Sequence, residues 1–381
     1  MKKKFMVPVA ALSLATVLMC GLAGCNNTPI IGGGDEEVES NSPRIEVQCV
    51  VAGFGTDWLD AVAAEFNEMY KGEYEVVITR TDTNLNTIND ICSPGKCTTD
   101  IFFEYNNINT LVNKSKSILK TGDRALLEDL TGVFNSPAIG KDKQPQGDNI
   151  IDRFSDSYVN QYTKYTGSLT GYDGYYGLPW LGGSQGLYIS KPALVDNGYT
   201  LDDLLTTDSF LNVLSELAPA DPLDTEAFFP VSWSETYAAG YWDYQMQIFF
   251  AQYEGGKSYR DFWDFVPDSG TVKDNGYSVY EKQGLYESLK VITEILNRDY
   301  AAPGTTSMDH VAAEARLAEG TSLVTVSGDW IYKELEKNYK DSRENIIAIK
   351  SPVISALGVK LNLCGKGTHA ADEACLPAMR F

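Results

Sequence analysis

The stretch from Arg44 to Arg80 constrains the fold most. "RIEVQCVVAGFG" is an apolar run ending in glycine, "TDWLDAVAAEFNEMYKG" follows it, and "EYEVVITR" is a second strand-like run. In the middle segment Trp58, Leu59, Val62, Ala63, Phe66, Met69 and Tyr70 fall on one stripe at helical spacing. Asp57 near its start and Gly72 just past its end are suitable helix punctuation. Two strands joined by a helix need a crossover, which makes them parallel neighbours. With "TDIFFEY" as a further strand, this part of the chain reads as α/β.

A chain of 381 residues exceeds what one compact core holds, which predicts two packed lobes. "INTLVNKSKSIL" and "RALLEDLTGVF" read as helices and "GKDKQPQGDN" as a polar loop. Farther on, "YYGLPW" and "GLYIS" are β-like on both sides of a glycine cluster. "LDDLLTTDSFLNVLSELA" is helical, "PADPLDTEAFFP" is a proline-rich break, and "ETYAAGYWDYQMQIFFAQYEGG" is a long aromatic helix closed by Gly255-Gly256. "KQGLYESLKVITEILNRDY" puts Leu285, Leu289, Ile292 and Leu296 on one face, and "MDHVAAEARLAEG" is another helix. "TSLVTVSGDW" is a strand leading into helical "IYKELEKNY", and "NIIAIKSPV" closes the readable part. The chain shows neither an internal repeat nor a nucleotide-binding glycine loop.

The amino terminus carries an address. "MKKK" is a basic segment and "FMVPVAALSLATVLM" an apolar one of 15 residues, too short to span a bilayer. Leu22-Ala23-Gly24-Cys25 then looks like a bacterial lipobox, in which Cys25 becomes the first mature residue and carries a diacylglycerol; an ordinary signal peptide is the alternative. Residues 1–24 are thus expected to be a signal peptide. Residues 25–43 are rich in Gly, Pro, Ser, Asn and acids, which reads as a flexible acidic tether. The formal net charge is −21, and it becomes more negative by three once Lys2, Lys3 and Lys4 are removed. Such a surface repels nucleic acid and anionic lipid.

Beyond Cys25, "CSPGKC" places Cys92 and Cys97 at the ends of a small turn that a disulfide could close; two free thiols are the alternative. Cys49 lies in a strand and is expected to be buried. No Cys/His spacing fits zinc, and the acids after Asp82 lack the glycine and glutamate of a calcium loop, so no metal and no cofactor is expected.

Gly182-Gly183-Ser184-Gln185-Gly186 matches the G-x-S-x-G of serine hydrolases, but that motif needs a strand before the serine and a helix directly after it. Here strand-like "LYIS" comes after. Only His310 and His369 exist to complete a triad, and His310 on its helix reads as a surface residue. Ser184 is better explained as a turn residue with a hydroxyl free to bond something. With 52 acids present, no local signature selects a pair for glycoside hydrolysis.

Aromatic placement is the remaining signal. Trp58, Tyr105, Trp180, Trp233, Tyr241, Trp242 and Trp330 lie at ends of expected elements or near glycines. Indole faces stack on sugar rings while acids and amides take the hydroxyls around the rim. Core packing is about as good an explanation for any one of them.

In order along the chain come the lipobox, the acidic tether, "GFGTDWLDAVAAEFNEMY", "TDIFFEYNN", "LLEDLTGVF", "YYGLPWLGGSQGLYISKPAL" and "LVTVSGDW". Together they resemble the extracellular solute-binding lipoproteins of ABC sugar importers, the family related to maltodextrin-binding protein. The resemblance implies an α/β, two-lobed periplasmic-binding-protein-like fold with hinge segments: a first lobe over 44–179, a second over 180–355, and a sugar held between them. Gly182, Gly183 and Gly186 would lie near the hinge. It also nominates ligand-contacting side chains: Asp57 and Trp58 after the first strand, Glu104, Tyr105 and Asn107 after "DIFFEYNN", Trp180 and Ser184 in the crossing, and Tyr241, Trp242 and Asp243 at the aromatic helix. Trp330 of "GDW" is the foremost stacking residue. Chains of this family continue further, whereas residues 356–381 form an atypical tail, so the chain is expected to be truncated at the C-terminus.

The implied function is capture of an oligosaccharide at the outer face of the bacterial membrane by a lipid-anchored monomer that delivers it to ABC permease subunits, with no chemistry performed. Alternatives are the same fold binding a non-sugar polar solute such as a peptide or polyamine, and a secreted glycoside hydrolase. A passive adhesin is disfavoured by the absence of repeats.

Overall fold

The structure, a computed structural model, describes residues 42–81, 97–104, 108–118, 127–167 and 173–361. The chain forms two compact units. The first takes residues up to Val51 and Thr56–Gly177; the second takes Ala52–Gly55 and everything from Leu178. The chain therefore enters the second unit for "AGFG", Ala52–Gly55, returns to the first at Thr56, and crosses again inside "YYGLPW", at Gly177-Leu178. The lipobox and all but the last two residues of the tether lie outside the described residues.

In the first unit β1 (Arg44–Val50), β2 (Glu75–Thr81) and β3 (Ile101–Phe103) form a three-stranded sheet in the order β2-β1-β3. Both pairings are parallel, as the crossover argument requires, with Val47 opposite Ile78 on one side and Ile101 on the other. Helix α1 (Asp57–Met69) makes the crossover, with Asp57 and Asp60 in its positive first turn. Its buried contacts are fewer than the expected stripe: Leu59 and Ala63 are buried, while Val62 is 58% exposed. Leu59 packs with Val47 and Cys49, and Trp58 and Phe103 pack against that cluster. Cys49 is buried. Asn67 holds α1 to β2 by accepting from the Val76 N–H at 2.7 Å and donating to the Val76 carbonyl at 3.4 Å.

Two sequence expectations for this unit are corrected. "RALLEDLTGVF" is not one helix over its described part. The Asp129 carboxylate accepts from the Thr131 N–H at 2.9 Å and from its hydroxyl at 2.5 Å, so helical structure begins only at α3 (Thr131–Phe134), after α2 (Ile108–Ile118). "GKDKQPQGDN" is not a loop but most of a hairpin, β4 (Pro137–Ile139) against β5 (Pro145–Asn149). Its turn is tightened by Lys143 at φ 60°, and Lys141 and Lys143 pair with Glu65 at 2.8 Å and Glu73 at 2.7 Å, the latter beyond α1. A further small cluster joins Val112 of α2 to Tyr165, past α4 (Asp156–Tyr162).

The second unit is three layers thick. Strands β6 (Gln185–Ser190), β7 (Val324–Gly328) and β8 (Ile346–Ala348) make an antiparallel sheet in the order β7-β6-β8. Strand alternation divides their side chains. Leu187, Ile189, Val324 and Val326 join one core with Leu194 of α5 (Lys191–Asp196), Phe210 and Leu214 of α6 (Thr207–Glu216), Phe249 of α7 (Ala238–Glu254) and Ile295 of α10 (Gln283–Ile295). Tyr188 and Ile346 face the other way, onto Ala315 and Leu317 of α11 (His310–Ala318) and Ile331 of α12 (Ile331–Glu334). Short helices α8 (Gly256–Trp263) and α9 (Val272–Asn275) come between α7 and α10. The caps follow their sequences: Ser190, Thr206 and Asp309 accept from the backbone N–H groups of Ala193, Ser209 and Ala312.

The expected boundary of the second lobe at 355 cuts through a helix. Helix α13 (Ser355–Lys360) packs within the second unit, where Lys360 Nζ donates to the Tyr253 carbonyl at 2.6 Å and lies over the Tyr253 ring. Residues 362–381, and so most of the expected atypical tail, lie outside the described residues. No described helix is long and apolar enough to cross a membrane.

Candidate functional site

The end of β7 and the start of α12 organise an aromatic face in the second unit. Asp329 extends the β6–β7 ladder by one pair, its N–H donating to the Ser184 carbonyl at 3.1 Å and its carboxylate accepting from the Ser184 N–H at 3.2 Å. Ser184 therefore stands before a strand with no helix directly after it, which is the reverse of a nucleophile elbow.

Trp330 comes next, and two glycines make room for it. A Cβ at Gly328 would lie 2.3 Å from the indole ring, and one at Gly53 would lie 2.8 Å from the Trp330 Cβ. Phe54 stands edge-on to the indole with centroids 5.9 Å apart, and Tyr241 of α7 lies at 6.2 Å, tilted. Tyr241 in turn stacks on His310 at 5.9 Å and 18° and meets Tyr244 edge-on at 6.1 Å.

Acids lie beneath these rings. Glu334 of α12 meets His310 Nε2 at 3.3 Å through Oε1, and Glu314, one turn after His310 on α11, accepts from the Ser327 hydroxyl at 2.6 Å. Burial and then the Glu334 and Glu314 carboxyls push the Tyr241 phenol far above its ordinary value, so it stays a neutral donor. The Glu334 bond holds His310 above the usual imidazole value, against the opposing effect of burial. Neutral phenol, half-buried indole and a carboxylate–imidazole pair form a surface with apolar faces and polar edges.

The residues expected at a ligand site fall in several places. Tyr241 and Trp330 come together, with Ser184 one residue pair away through Asp329. Trp242 is corrected: it is 3% exposed in the core of the second unit, where no indole face is left for a ligand. Asp243 turns to the α8 side, accepting from Gln247 at 2.5 Å, and Gln247 accepts from the Tyr259 hydroxyl at 2.6 Å. Trp180 is half-buried near the start of the second unit. In the first unit Trp58 meets Phe103 edge-on at 5.2 Å, Asp57 is exposed at the head of α1, and Glu104 is half-buried just past β3. Two shallow cavities of that unit, about 200 Å³ beside Glu46, Gln48 and Thr79 and about 340 Å³ beside Val62, Phe66 and Ile139, are lined by none of these three. Tyr105 and Asn107 lie outside the described residues. So does Cys92; Cys97 is a free thiol that donates to the Thr99 carbonyl at 3.6 Å.

His310 was expected at the surface, and that is corrected: its ring is half-buried between Tyr241 and Glu334. Phe54, His310, Glu314 and Glu334 are members of the cluster that no motif pointed to. They are 260 or more residues apart for Phe54 and Glu314 and meet only through the fold. Among the described residues no group of three His, Cys, Asp or Glu side chains is placed to hold a metal ion.

Layered α/β units between which the chain crosses more than once define the periplasmic-binding-protein-like class. Residues 61–377 match the family model of bacterial extracellular solute-binding proteins, and the chain belongs to that family. No curated protein sequence matches it. Among solved structures it is similar to one from a study of xylan utilization by Caldanaerobius polysaccharolyticus, at 13% identity and TM-score 0.57, over 82% of this chain and 68% of that one. It is also similar to RafE in complex with raffinose, at 15% identity and TM-score 0.52, over 82% and 68%. The GacH receptor of Streptomyces glaucescens, solved unliganded and with acarbose, aligns at 13% identity and TM-score 0.53, over 83% and 68%. At these identities the likeness is one of fold.

Proposed function

We propose that this chain is the capture component of a carbohydrate importer, binding an oligosaccharide outside the cell and passing it to the subunits of an ABC permease without making or breaking a bond. The carrying observation is the Trp330–Tyr241 face with Glu334 and His310 along its edge. Aromatic ring faces favour the C–H face of a pyranose, and the edge groups can accept or donate to its hydroxyls. The raffinose and acarbose complexes of similar structures support a sugar over a peptide or polyamine as the ligand class. Anchoring through lipid on Cys25, at the outer face of the membrane, completes the reading, with the protein acting as a monomer.

The test is a thermal-shift screen of the mature protein against mono- and oligosaccharides. A ligand present at a hundred times its Kd adds about 2.7 kcal/mol to stability and raises Tm visibly. Trp330→Ala should abolish the shift. No rise with any glycan, or an undiminished rise in the variant, refutes the assignment. Release of reducing ends from any of these glycans would point instead to a hydrolase.

A further inference from the structure

The acids under the ring face do not fit as independent anions. Glu314 is 2% exposed, and Ser327 bonds its Oε1. Its Oε2 is buried with no hydrogen-bond donor beside it, and the same holds for Oε2 of Glu334. Glu334 bonds His310, Glu314 lies one turn farther along the His310 helix, and the neighbouring Glu334 charge adds to burial in raising Glu314. Two ionised carboxylates facing each other offer only acceptors and repel strongly where water is excluded. One proton between them satisfies both oxygens.

We propose that Glu314 and Glu334 share a single proton, and that this pair positions His310 and, through it, Tyr241 in the aromatic face. Glu314 is the neutral member. Glu334 presents Oε1 to His310 at 3.3 Å. Burial, and next the neighbouring Glu334, push the Glu314 carboxyl up to about 9. The other titratable groups that act on the two acids and on His310 are Asp309 ahead of α11, Tyr241 on α7 and Tyr188 on β6. None of these three brings a positive charge. Arg316 and Lys333, the nearest cations along α11 and α12, bond to Ser322 and Glu336 instead. His310, once protonated, is a countercharge in direct contact with Glu334, and it balances one carboxylate rather than two.

The effect on a ligand rests on the proposed sugar reading, but the proton itself is testable without any ligand. The chain has two histidines, so His369→Gln leaves His310 as a single imidazole signal for an NMR titration of the full mature protein. His310 should titrate above the ordinary value of about 6.5, and Glu334→Gln should bring it to that value or below. Melting temperature should fall steadily from pH 6 to pH 9. Glu314→Gln keeps a donor toward Glu334 and an oxygen for Ser327, and should at least halve that slope. A Glu314→Gln protein that melts with the slope of the parent overturns the proposal, as does an ordinary His310 titration in the parent. Should Glu314→Gln fail to fold, the His310 titration of the parent and of Glu334→Gln decides. A failed glycan screen would refute the sugar reading and leave these outcomes intact.

Discussion

Gly328→Ala puts a methyl group where the Trp330 ring now lies. The new Cβ would stand 2.3 Å from Cζ3, 2.4 Å from Cη2 and 2.5 Å from Cε3. Ordinary contact begins at 3.4 Å, so the ring must retreat by about 1.1 Å. Gly328 is not in the left-handed region of backbone space, so space alone is at stake. The ring cannot simply slide: Gly53 already approaches the root of the side chain on another side, and Phe54 and Tyr241 flank the indole at 5.9 and 6.2 Å. Overfilling of this kind costs about 1–3 kcal/mol. The displaced ring no longer presents the same face, so ligand affinity should fall roughly 10- to 100-fold, at tenfold for each 1.4 kcal/mol. Calorimetry with a glycan from the thermal-shift screen measures the affinity, and tryptophan emission reports the moved indole. A folded Gly328→Ala protein with the parent's affinity and emission would refute the packing argument.

Three further outcomes are expected. Trp242→Ala should cost about 3–5 kcal/mol of stability in urea unfolding, as removal of a buried aromatic does, while the folded fraction keeps its ligand affinity. Across pH the two units should respond in opposite directions. The Thr131 hydroxyl bond holds the Asp129 carboxyl below its ordinary value, so its contribution is present above pH 3.8 and fades as pH falls. Glu314 and His310 are both raised, so theirs is complete below about pH 4.5 and is lost as pH climbs toward about 9. Circular-dichroism melts from pH 3 to pH 9 separate these terms, and a second-unit transition that rises toward pH 9 contradicts them. Cys25→Ala, or globomycin treatment, should abolish incorporation of labelled lipid; labelling that persists places the anchor elsewhere.

The parallel sheet of the first unit was legible because the period of its apolar residues changes from strand to helix and back between Arg44 and Arg80. The hairpin of β4 and β5 was not. "GKDKQPQGDN" has no alternating apolar residues to mark strands, and what holds it is a left-handed Lys143 with lysines reaching Glu65 and Glu73, more than sixty residues earlier. Helix α7 was legible as a helix, but which of its aromatics faces outward was not. Its aromatics fall on more than one side, so packing against the sheet and α10 sets the rotation, burying Trp242 and leaving Tyr241 half-buried at the edge of the core. Trp330 could be singled out from Gly-x-Trp. His310 could not, because its partner Glu334 sits on another helix and neither neighbouring sequence marks a site.

Phe54 and Gly53 belong to the second unit although they leave the chain directly after its first strand. A recombinant piece beginning at Leu178 would therefore be missing one edge of its own indole cradle. Proteolysis at Gly177 would likewise leave that edge on the amino-terminal fragment, so severed halves must reassociate before the ring face is whole.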